Sequence, residues 1–208
     1  MDGPMTVGKD DRREQKRKHI IRAALKIFSK SGYTPALLDD IAGEAGIAKG
    51  TLYLYFKDKE DLFHSTIMSI IYDLEELLKK NISEDMEPLV MLENMARMQL
   101  DFFLQNRQFF TIYQAVLNYH LLSNYTRLFE EISVKVKELI RAETDIVNEG
   151  KTRGIFRSDL STENIVSAYH GMVYQMIEWM IVFKRDGGFD TRKKARELMD
   201  IFINGIGK

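Results

Sequence analysis

Apolar residues recur every three or four positions along almost the whole chain, and only 3 of its 208 residues are proline. This spacing is typical of α-helices that bury one face, and the scarcity of proline leaves such helices uninterrupted. The pattern therefore predicts an all-α protein with about nine helices. The expected helices span residues 11–31, 36–44, 49–55, 58–80, 88–105, 107–119, 123–150, 161–185 and 190–206.

Two of these helices, 36–44 and 49–55, are short and are separated by a turn at Gly46. Two short helices joined by a tight glycine-containing turn form a helix-turn-helix, in which the second helix enters the DNA major groove. Leu52 and Phe56 are expected to pack inside this module. Tyr53 and Tyr55 carry hydroxyls that can donate to phosphate oxygens. Residues 46–56 are therefore predicted to read DNA.

Charge is distributed unevenly along the chain. The formal net charge is −1, yet residues 9–30 hold nine basic and three acidic side chains. A basic N-terminal patch on an acidic body is typical of a protein that touches a polyanion at one end. A solvated helix face is the simple alternative, and charge alone does not separate the two.

Residues around the predicted turn closely resemble a known family. The matching positions are Gly32-Tyr33, Asp40-Ile41-Ala42, Ala45-Gly46-Ile47, Lys49-Gly50-Thr51-Leu52-Tyr53, Tyr55-Phe56, Lys59-Glu60 and Leu62. This set, within about residues 15–65, is similar to the tetracycline-repressor (TetR) family of bacterial transcriptional regulators. The resemblance implies a homodimeric repressor that binds double-stranded DNA and a small effector. It also implies an N-terminal tail and helix-turn-helix domain at 1–57, a linking helix at 58–80, and a helical ligand-binding and dimerisation domain at 81–208.

The resemblance also implies roles for individual residues. Carried over by position, Lys49, Gly50, Thr51 and Leu54 would approach the bases, and Tyr53, Tyr55 and Lys59 would contact phosphates. The side chains suit these roles, because a glycine lets backbone approach DNA closely and a threonine hydroxyl can bond a base edge. A leucine at position 54 can make only apolar contact, so thymine methyl groups are its expected target.

Three positions depart from the family pattern. The family usually has Thr or Ser where this chain has Ala36, Leu37 and Ala48. An alanine at the N-cap stabilises a helix by about 1 kcal/mol less than Ser or Thr does. Thr34 and Pro35 could replace the missing cap, with threonine as N-cap and proline in the first turn. We therefore expect the second helix to begin earlier than in relatives.

Other helix starts carry local signals. Asp58 and Asp61 have the spacing of a capping box, so the fourth helix is expected to begin there. Pro88 suits the first turn of the fifth helix. Ser161 or Thr162 is available to cap the helix that follows.

The predicted helix at 161–185 is apolar on more than one face. A helix that is hydrophobic all round must be buried all round, so one face needs a partner beyond the chain's own core. Together with the helix at 190–206, it could form a four-helix bundle across a two-fold axis. The alternative is a central helix wrapped within one subunit. The expected dimerisation residues are Met172, Met176, Met180 and Phe202.

Methionines and aromatic residues also mark a possible cavity in the C-terminal part. Methionine adapts to varied apolar ligands, and helical bundles place ligand sites between their helices. Ordinary core packing is the alternative for any single methionine. A buried glutamate on the 161–185 helix would need either a basic partner or a cationic or hydroxylated ligand. The expected effector is large, flexible and apolar, such as a fatty acyl chain or a lipophilic drug. The expected ligand-binding residues are Met95, Met98, Phe102, Phe110, Tyr113, His120, His170, Tyr174 and Glu178.

No enzyme signature is apparent, and no cofactor or metal site is predicted. The chain lacks the Glu-x-x-His pairs of di-iron bundles and the glycine-rich motifs that cradle phosphates. The absence of cysteine fits a reducing cytoplasm, and the charged N-terminus and broken apolar runs predict neither a signal peptide nor a membrane span. The alternative function is a helical module that binds membrane surfaces or partners through its basic first helix. Against it, the apolar face of that helix is needed for packing.

Overall fold

The computed structural model describes residues 9–81, 83, 85–110, 112, 126–183 and 188–206. Within these ranges the protein is all-helical, which confirms the predicted fold class. Residues 107–110 are also helical, and most of the predicted 107–119 helix lies outside the described residues. The delimited helices are α1 (Lys9–Ser31), α2 (Leu38–Glu44), α3 (Lys49–Leu52), α4 (Lys59–Asn81), α5 (Pro88–Gln105), α6 (Thr126–Thr152), α7 (Thr162–Val182) and α8 (Thr191–Asn204).

The N-terminal module is built around aromatic residues on α1 and α4. Phe28 of α1 meets Phe63 of α4 edge to face, with ring centroids 5.0 Å apart. Tyr33, just beyond α1, lies 4.6 Å from the same Phe63 ring. Aromatic pairs of this kind contribute about 0.5–1.5 kcal/mol beyond area burial, so they fix the angle at which α1 crosses the start of α4.

The C-terminal body packs α5 in its centre, against α4, α6, α7 and α8. Tyr169 of α7 is fully buried there, and its hydroxyl donates to the Leu92 carbonyl of α5 at 2.9 Å. Its ring also lies 6.0 Å from Phe202 of α8. A buried tyrosine is stable only when its hydroxyl finds a partner, so this contact ties α7 to α5. No helix within the described ranges is both long and apolar enough to cross a membrane.

Three predicted helix starts are confirmed, two of them by capping hydrogen bonds. The Asp58 carboxylate accepts from the Asp61 amide at 2.9 Å, and the Asp61 carboxylate accepts from the Lys57 amide at 2.8 Å. Pro88 is the first residue of α5. Ser161 caps α7 by accepting from the amide of Asn164 at 3.2 Å.

The proposed early start of α2 is wrong. The helix begins at Leu38, its N-cap Leu37 makes no side-chain cap bond, and Thr34 and Pro35 lie in the preceding turn. The Thr34 carbonyl instead accepts from the Lys59 ammonium at 2.9 Å, and Ala36 is buried. A contact from a distant helix thus holds the segment that the sequence suggested as a cap.

The third helix is shorter than the expected 49–55. It ends at Leu52, and residues 53–55 form a turn. There the amides of Leu54 and Tyr55 donate to carbonyls three residues back, at 3.2 and 3.0 Å. Bonds of that spacing tighten the last turn of a helix.

Candidate DNA-reading surface and internal cavity

Gly46 makes the turn between α2 and α3. Its φ is +61°, in the left-handed region that favours glycine. The Ile47 amide donates to the Ala42 carbonyl at 3.0 Å, and the Gly46 amide donates to the Gly43 carbonyl at 3.1 Å. This pair of bonds is the Schellman motif that ends helices. It fixes the direction in which α3 leaves α2.

The outer face of α3 and its following turn are exposed. Leu54 is 71% and Tyr53 is 50% exposed, and Lys49 and Gly50 are also exposed. A Cβ added to Gly50 would meet nothing within 4 Å, so its backbone is open to a close approach. Thr51 is partly exposed. Five of the predicted DNA-binding residues therefore share one accessible surface.

The inner face of the same segment is buried as expected. Leu52 is fully buried and Phe56 almost so. The Arg17 guanidinium lies 5.2 Å from the Phe56 ring centroid and donates to the Ser65 hydroxyl at 3.0 Å. One of the basic side chains of α1 thus stabilises the module itself and is not free for phosphate.

Lys49 is held by an acidic neighbour. Its ammonium donates to the Asp39 carboxylate at 2.8 Å, and both side chains are largely exposed. The hydrogen bond to Asp39, and then the charge of Asp39, raise the pKa of Lys49. The cation expected to approach DNA is therefore balanced by a carboxylate from α2.

Lys59 and Tyr55 are less available than the resemblance implies. The Lys59 ammonium donates to the Thr34 carbonyl and lies 4.7 Å from the centroid of the Tyr33 ring. Desolvation by burial lowers the pKa of Lys59. Tyr55 is partly buried against the core. In this conformation, Lys59 ties α4 to the segment before α2, and Tyr55 contributes to core packing.

A cavity lies in the body between α4, α5, α6 and α7. Its volume is about 50 Å³. Its walls are mainly apolar. The lining residues are Ile70, Ile71, Leu74, Leu78, Met95, Gln99, Phe103, Phe109, Val136, Leu139, Ile140, Glu143 and His170. A second groove, open to the α4–α6 surface, shares Leu78, Met95 and Leu139 with it, so the two lie side by side.

A buried polar cluster lies in this apolar wall. Glu143 of α6 is only 2% exposed. One of its oxygens, Oε1, accepts from the Gln99 side chain at 3.4 Å. The other, Oε2, lies 3.5 Å from Nδ1 of His170. The neighbouring Glu143 carboxylate raises the pKa of His170, although desolvation opposes this shift.

The predicted ligand-binding residues divide between the cavity and the core. Met95 and His170 line the cavity, whereas Met98, Phe102, Phe110, Tyr174 and Glu178 do not. Phe110 is buried and packs its ring 5.5 Å from that of Tyr174. Glu178 accepts from Gln175 at 2.8 Å near the surface, so it is not the buried glutamate that the sequence suggested. Tyr113 and His120 lie outside the described residues.

Glu143 was missed, although the sequence contains a signal for it. The apolar stripe of α6 runs through Val136, Leu139, Ile140, Ile146 and Val147, and Glu143 occupies the centre of that stripe. A carboxylate at a core position of an amphipathic helix is costly unless it is paired. Such an interruption is therefore informative about a site.

The predicted dimerisation residues are placed differently from one another. Met172 and Phe202 line a groove between α7 and α8, and Met176 is partly buried. Met180 is fully buried inside the subunit, so its assignment to a subunit interface is wrong. Several exposed positions of α7 form a stripe, at Asn164, Ala168, Gly171, Gln175, Trp179 and Val182, and two of them, Asn164 and Ala168, also line that groove.

Comparison with known proteins agrees with this arrangement. The model for "Bacterial regulatory proteins, tetR family" matches residues 20–66. The fatty acid metabolism regulator protein of Bacillus subtilis is 23% identical over 189 residues, 90% of this chain and 93% of the relative. The HTH-type transcriptional repressor KstR2 of Rhodococcus jostii is 23% identical over 203 residues, 97% and 94% of the two chains.

A solved structure extends the similarity to the body. The transcriptional regulator FadR from Bacillus subtilis, crystallised in complex with stearoyl-CoA, aligns with a TM-score of 0.76. The alignment covers 91% of this chain and 99% of that chain at 22% sequence identity. At this identity the comparison shows a shared fold, from the helix-turn-helix through the helices that enclose the cavity.

Proposed function

Because the chain belongs to the tetR family of bacterial regulatory proteins, we propose that it is a dimeric repressor that a small apolar effector releases from a palindromic operator. Its relatives are ligand-responsive, DNA-binding transcriptional regulators and not enzymes. The observation that carries the proposal is the position of α4. The N-terminal half of this helix packs against the DNA-reading module, and its C-terminal half walls the cavity.

The exposed surface of α3 supports DNA reading by a small set of contacts. Lys49, Thr51 and the open backbone of Gly50 face outward together with Leu54. Leu54 is largely exposed and offers only apolar contact, which favours thymine methyl groups in the major groove. The Tyr53 hydroxyl suits a phosphate, which would fix the register of the helix on the duplex.

The stripe on α7 supports a two-fold interface. Ala168 and Gly171 are small and exposed, which allows a second helix to approach closely, while Trp179 and Val182 offer apolar area. Ile201 and Ile203 of α8 add further exposed apolar surface. Exposed apolar patches of this kind mark interaction sites, and helices from two subunits would cover each other as a four-helix bundle.

The cavity supports an apolar effector. The related FadR structure holds stearoyl-CoA, and the described cavity of this chain has mainly apolar walls and lies beside an open groove. An effector that widens the narrow cavity would push on Leu74 or Leu78 of α4. The same helix carries Phe63, which packs against α1, so the push would reorient the DNA-reading module.

The membrane-surface alternative has less support. The apolar face of α1, formed by Ile20, Ile21, Ala24 and Phe28, is buried. A helix binds a bilayer surface through an exposed apolar face, which α1 lacks in this fold. A regulator whose target is chromosomal DNA would act in the cytoplasm.

Operator binding tests the DNA-reading part. Fluorescence anisotropy would measure the dissociation constant for a duplex from the region upstream of the chain's own gene. Removal of one phosphate hydrogen bond by Tyr53→Phe is expected to weaken binding about 5- to 10-fold. Tyr72→Phe is the matched control, because Tyr72 is also 50% exposed but lies on α4. Equal binding of specific and scrambled duplexes would refute sequence-specific regulation.

Oligomeric state tests the interface. Ala168→Arg is expected to convert the dimer to a monomer in light scattering, because a charged side chain would be buried between the two α7 helices. Asp145→Arg places the same side chain on an exposed position of α6 and should leave the mass unchanged. A dimer that survives Ala168→Arg would exclude this face.

A further inference from the structure

The buried cluster at Glu143 has more hydrogen-bonding capacity than its described neighbours use. The Oε1 atom accepts from Gln99 at 3.4 Å. Oε2, and Nδ1 of His170, are buried and make no hydrogen bond within the described part of the chain. These two atoms lie 3.5 Å apart, close enough for charge attraction but without hydrogen-bond geometry.

The charge pair between the two residues leaves hydrogen-bonding capacity unused. Buried polar atoms in folded proteins are nearly always hydrogen-bonded, and a carboxylate inside an apolar wall is costly unless it is satisfied. Glu143 and His170 both line the cavity. An effector that widens the cavity beside these residues would therefore meet an unused acceptor and an unused ring nitrogen.

The chemistry of the two atoms discriminates between possible ligand groups. The methyl end of an acyl chain would leave both atoms unsatisfied. A carboxylate could accept from His170 but would be repelled by Glu143. An ammonium group could donate to Glu143 but offers nothing to an imidazole N–H. A hydroxyl can donate to Oε2 and accept from Nδ1 at once.

Resting on the proposed function, we propose that the effector is an apolar molecule whose cavity-bound end carries a hydroxyl group, held between Glu143 Oε2 and His170 Nδ1. The carboxylate keeps the imidazole protonated over a wider pH range, because it raises the pKa of His170. Gln99 holds the other carboxylate oxygen in place. The rest of the effector follows the apolar walls toward the groove that shares Leu78, Met95 and Leu139.

A matched set of probes tests the hydroxyl requirement. The probes are 1-decanol, 1-methoxydecane, which keeps the oxygen but cannot donate, and decanoate. Isothermal titration calorimetry on the full chain would measure each dissociation constant. We expect 1-decanol to bind about tenfold or more tightly than 1-methoxydecane, as for a hydrogen bond to a charged group. Decanoate is expected to bind more weakly than 1-decanol.

Variants assign the preference to the cluster. Glu143→Leu should reduce the preference for 1-decanol over 1-methoxydecane to less than about threefold, since no acceptor remains. Glu143→Gln, which keeps the shape, provides the same test if the leucine variant does not fold and should show a reduced preference. Asp145→Asn removes a carboxylate from an exposed position on the same helix and should keep the full preference.

Equal affinity of wild type for the alcohol and the ether would overturn the proposal, because the cluster would then be satisfied without the ligand, for example by retained water. Binding of none of the three probes would also overturn it. Operator binding, measured separately by anisotropy, reports on the proposed function. A chain that binds its operator yet shows no preference for the alcohol would retain that function and refute the hydroxyl site.

Discussion

Gly50→Ala separates the fold of the DNA-reading module from its function. In the free protein a Cβ at this position meets nothing within 4 Å, and the residue lies in a regular helix. Alanine is therefore tolerated, and helix propensity predicts that it raises the free energy of unfolding by up to about 1 kcal/mol. If the backbone of Gly50 lies against DNA, the added methyl group occupies space that the duplex needs.

The expected effect on DNA binding is opposite in sign. Overpacking of a tight contact costs about 1–3 kcal/mol, so the dissociation constant for the operator should rise about 5- to 150-fold. Urea unfolding would measure stability, and fluorescence anisotropy would measure binding. Gly43→Ala is the control, because Gly43 is an exposed glycine of α2 whose added Cβ also meets nothing within 4 Å. Gly43→Ala should change the free energy of unfolding by a similar amount and leave operator affinity unchanged.

Two results would refute the reasoning. Unchanged operator affinity in Gly50→Ala would show that the backbone at this position does not approach DNA closely. A loss of stability in the free protein would show that the surroundings of Gly50 differ from those described. Only the combination of equal or higher stability with weaker binding supports close approach.

Three other substitutions give distinct readouts. Asp39→Asn should free Lys49 to contact a phosphate and so tighten operator binding. The slope of log affinity against log salt concentration should become steeper by about 0.9, as measured by anisotropy from about 50 to 200 mM salt. Gly150→Ala should lower the free energy of unfolding in urea by about 1–3 kcal/mol, because the new Cβ would lie 2.2 Å from ring atoms of Phe156. His170→Gln should lower the free energy of unfolding below about pH 6.5. The difference in free energy between variant and wild type should disappear as pH rises through the raised folded-state pKa of His170. Urea unfolding at several pH values would measure it.

Local signals in the sequence were sufficient for most of the helix starts. The capping box at Asp58, the first-turn proline at Pro88 and the serine cap at Ser161 depend on residues within four positions of each other. The turn at Gly46 is equally local, since its bonds span residues 42–47. Such features need no knowledge of the tertiary fold.

Features that depend on distant residues could not be predicted in the same way. The segment before α2 is held by Lys59, which donates to the Thr34 carbonyl from 25 positions away. Met180 and Met172 lie two helical turns apart on α7, yet one is fully buried and the other lines a groove. Periodicity identifies the faces of a helix but does not say which neighbour covers each face.

The cavity shows the same limit. Methionine and aromatic content suggested an apolar site, and Met95 and His170 do line the described cavity. The walls contributed by α4 and α6 were not anticipated, because helices that are far apart in sequence form them. Glu143 was also missed, although its position in an apolar stripe is visible in the sequence.

The length of α4 has a mechanical consequence. Its 23 residues extend over about 34 Å at about 1.5 Å per residue. If α4 moves as a rigid rod, a tilt of about 5° displaces its far end by about 3 Å, which is close to the rise of one base pair. If the α4 helices of two subunits tilt in opposite directions, the distance between the two DNA-reading modules changes by about 6 Å. The half-sites that they must match are about 34–36 Å apart. A movement of side-chain size in the body is thereby amplified into a register error on the duplex.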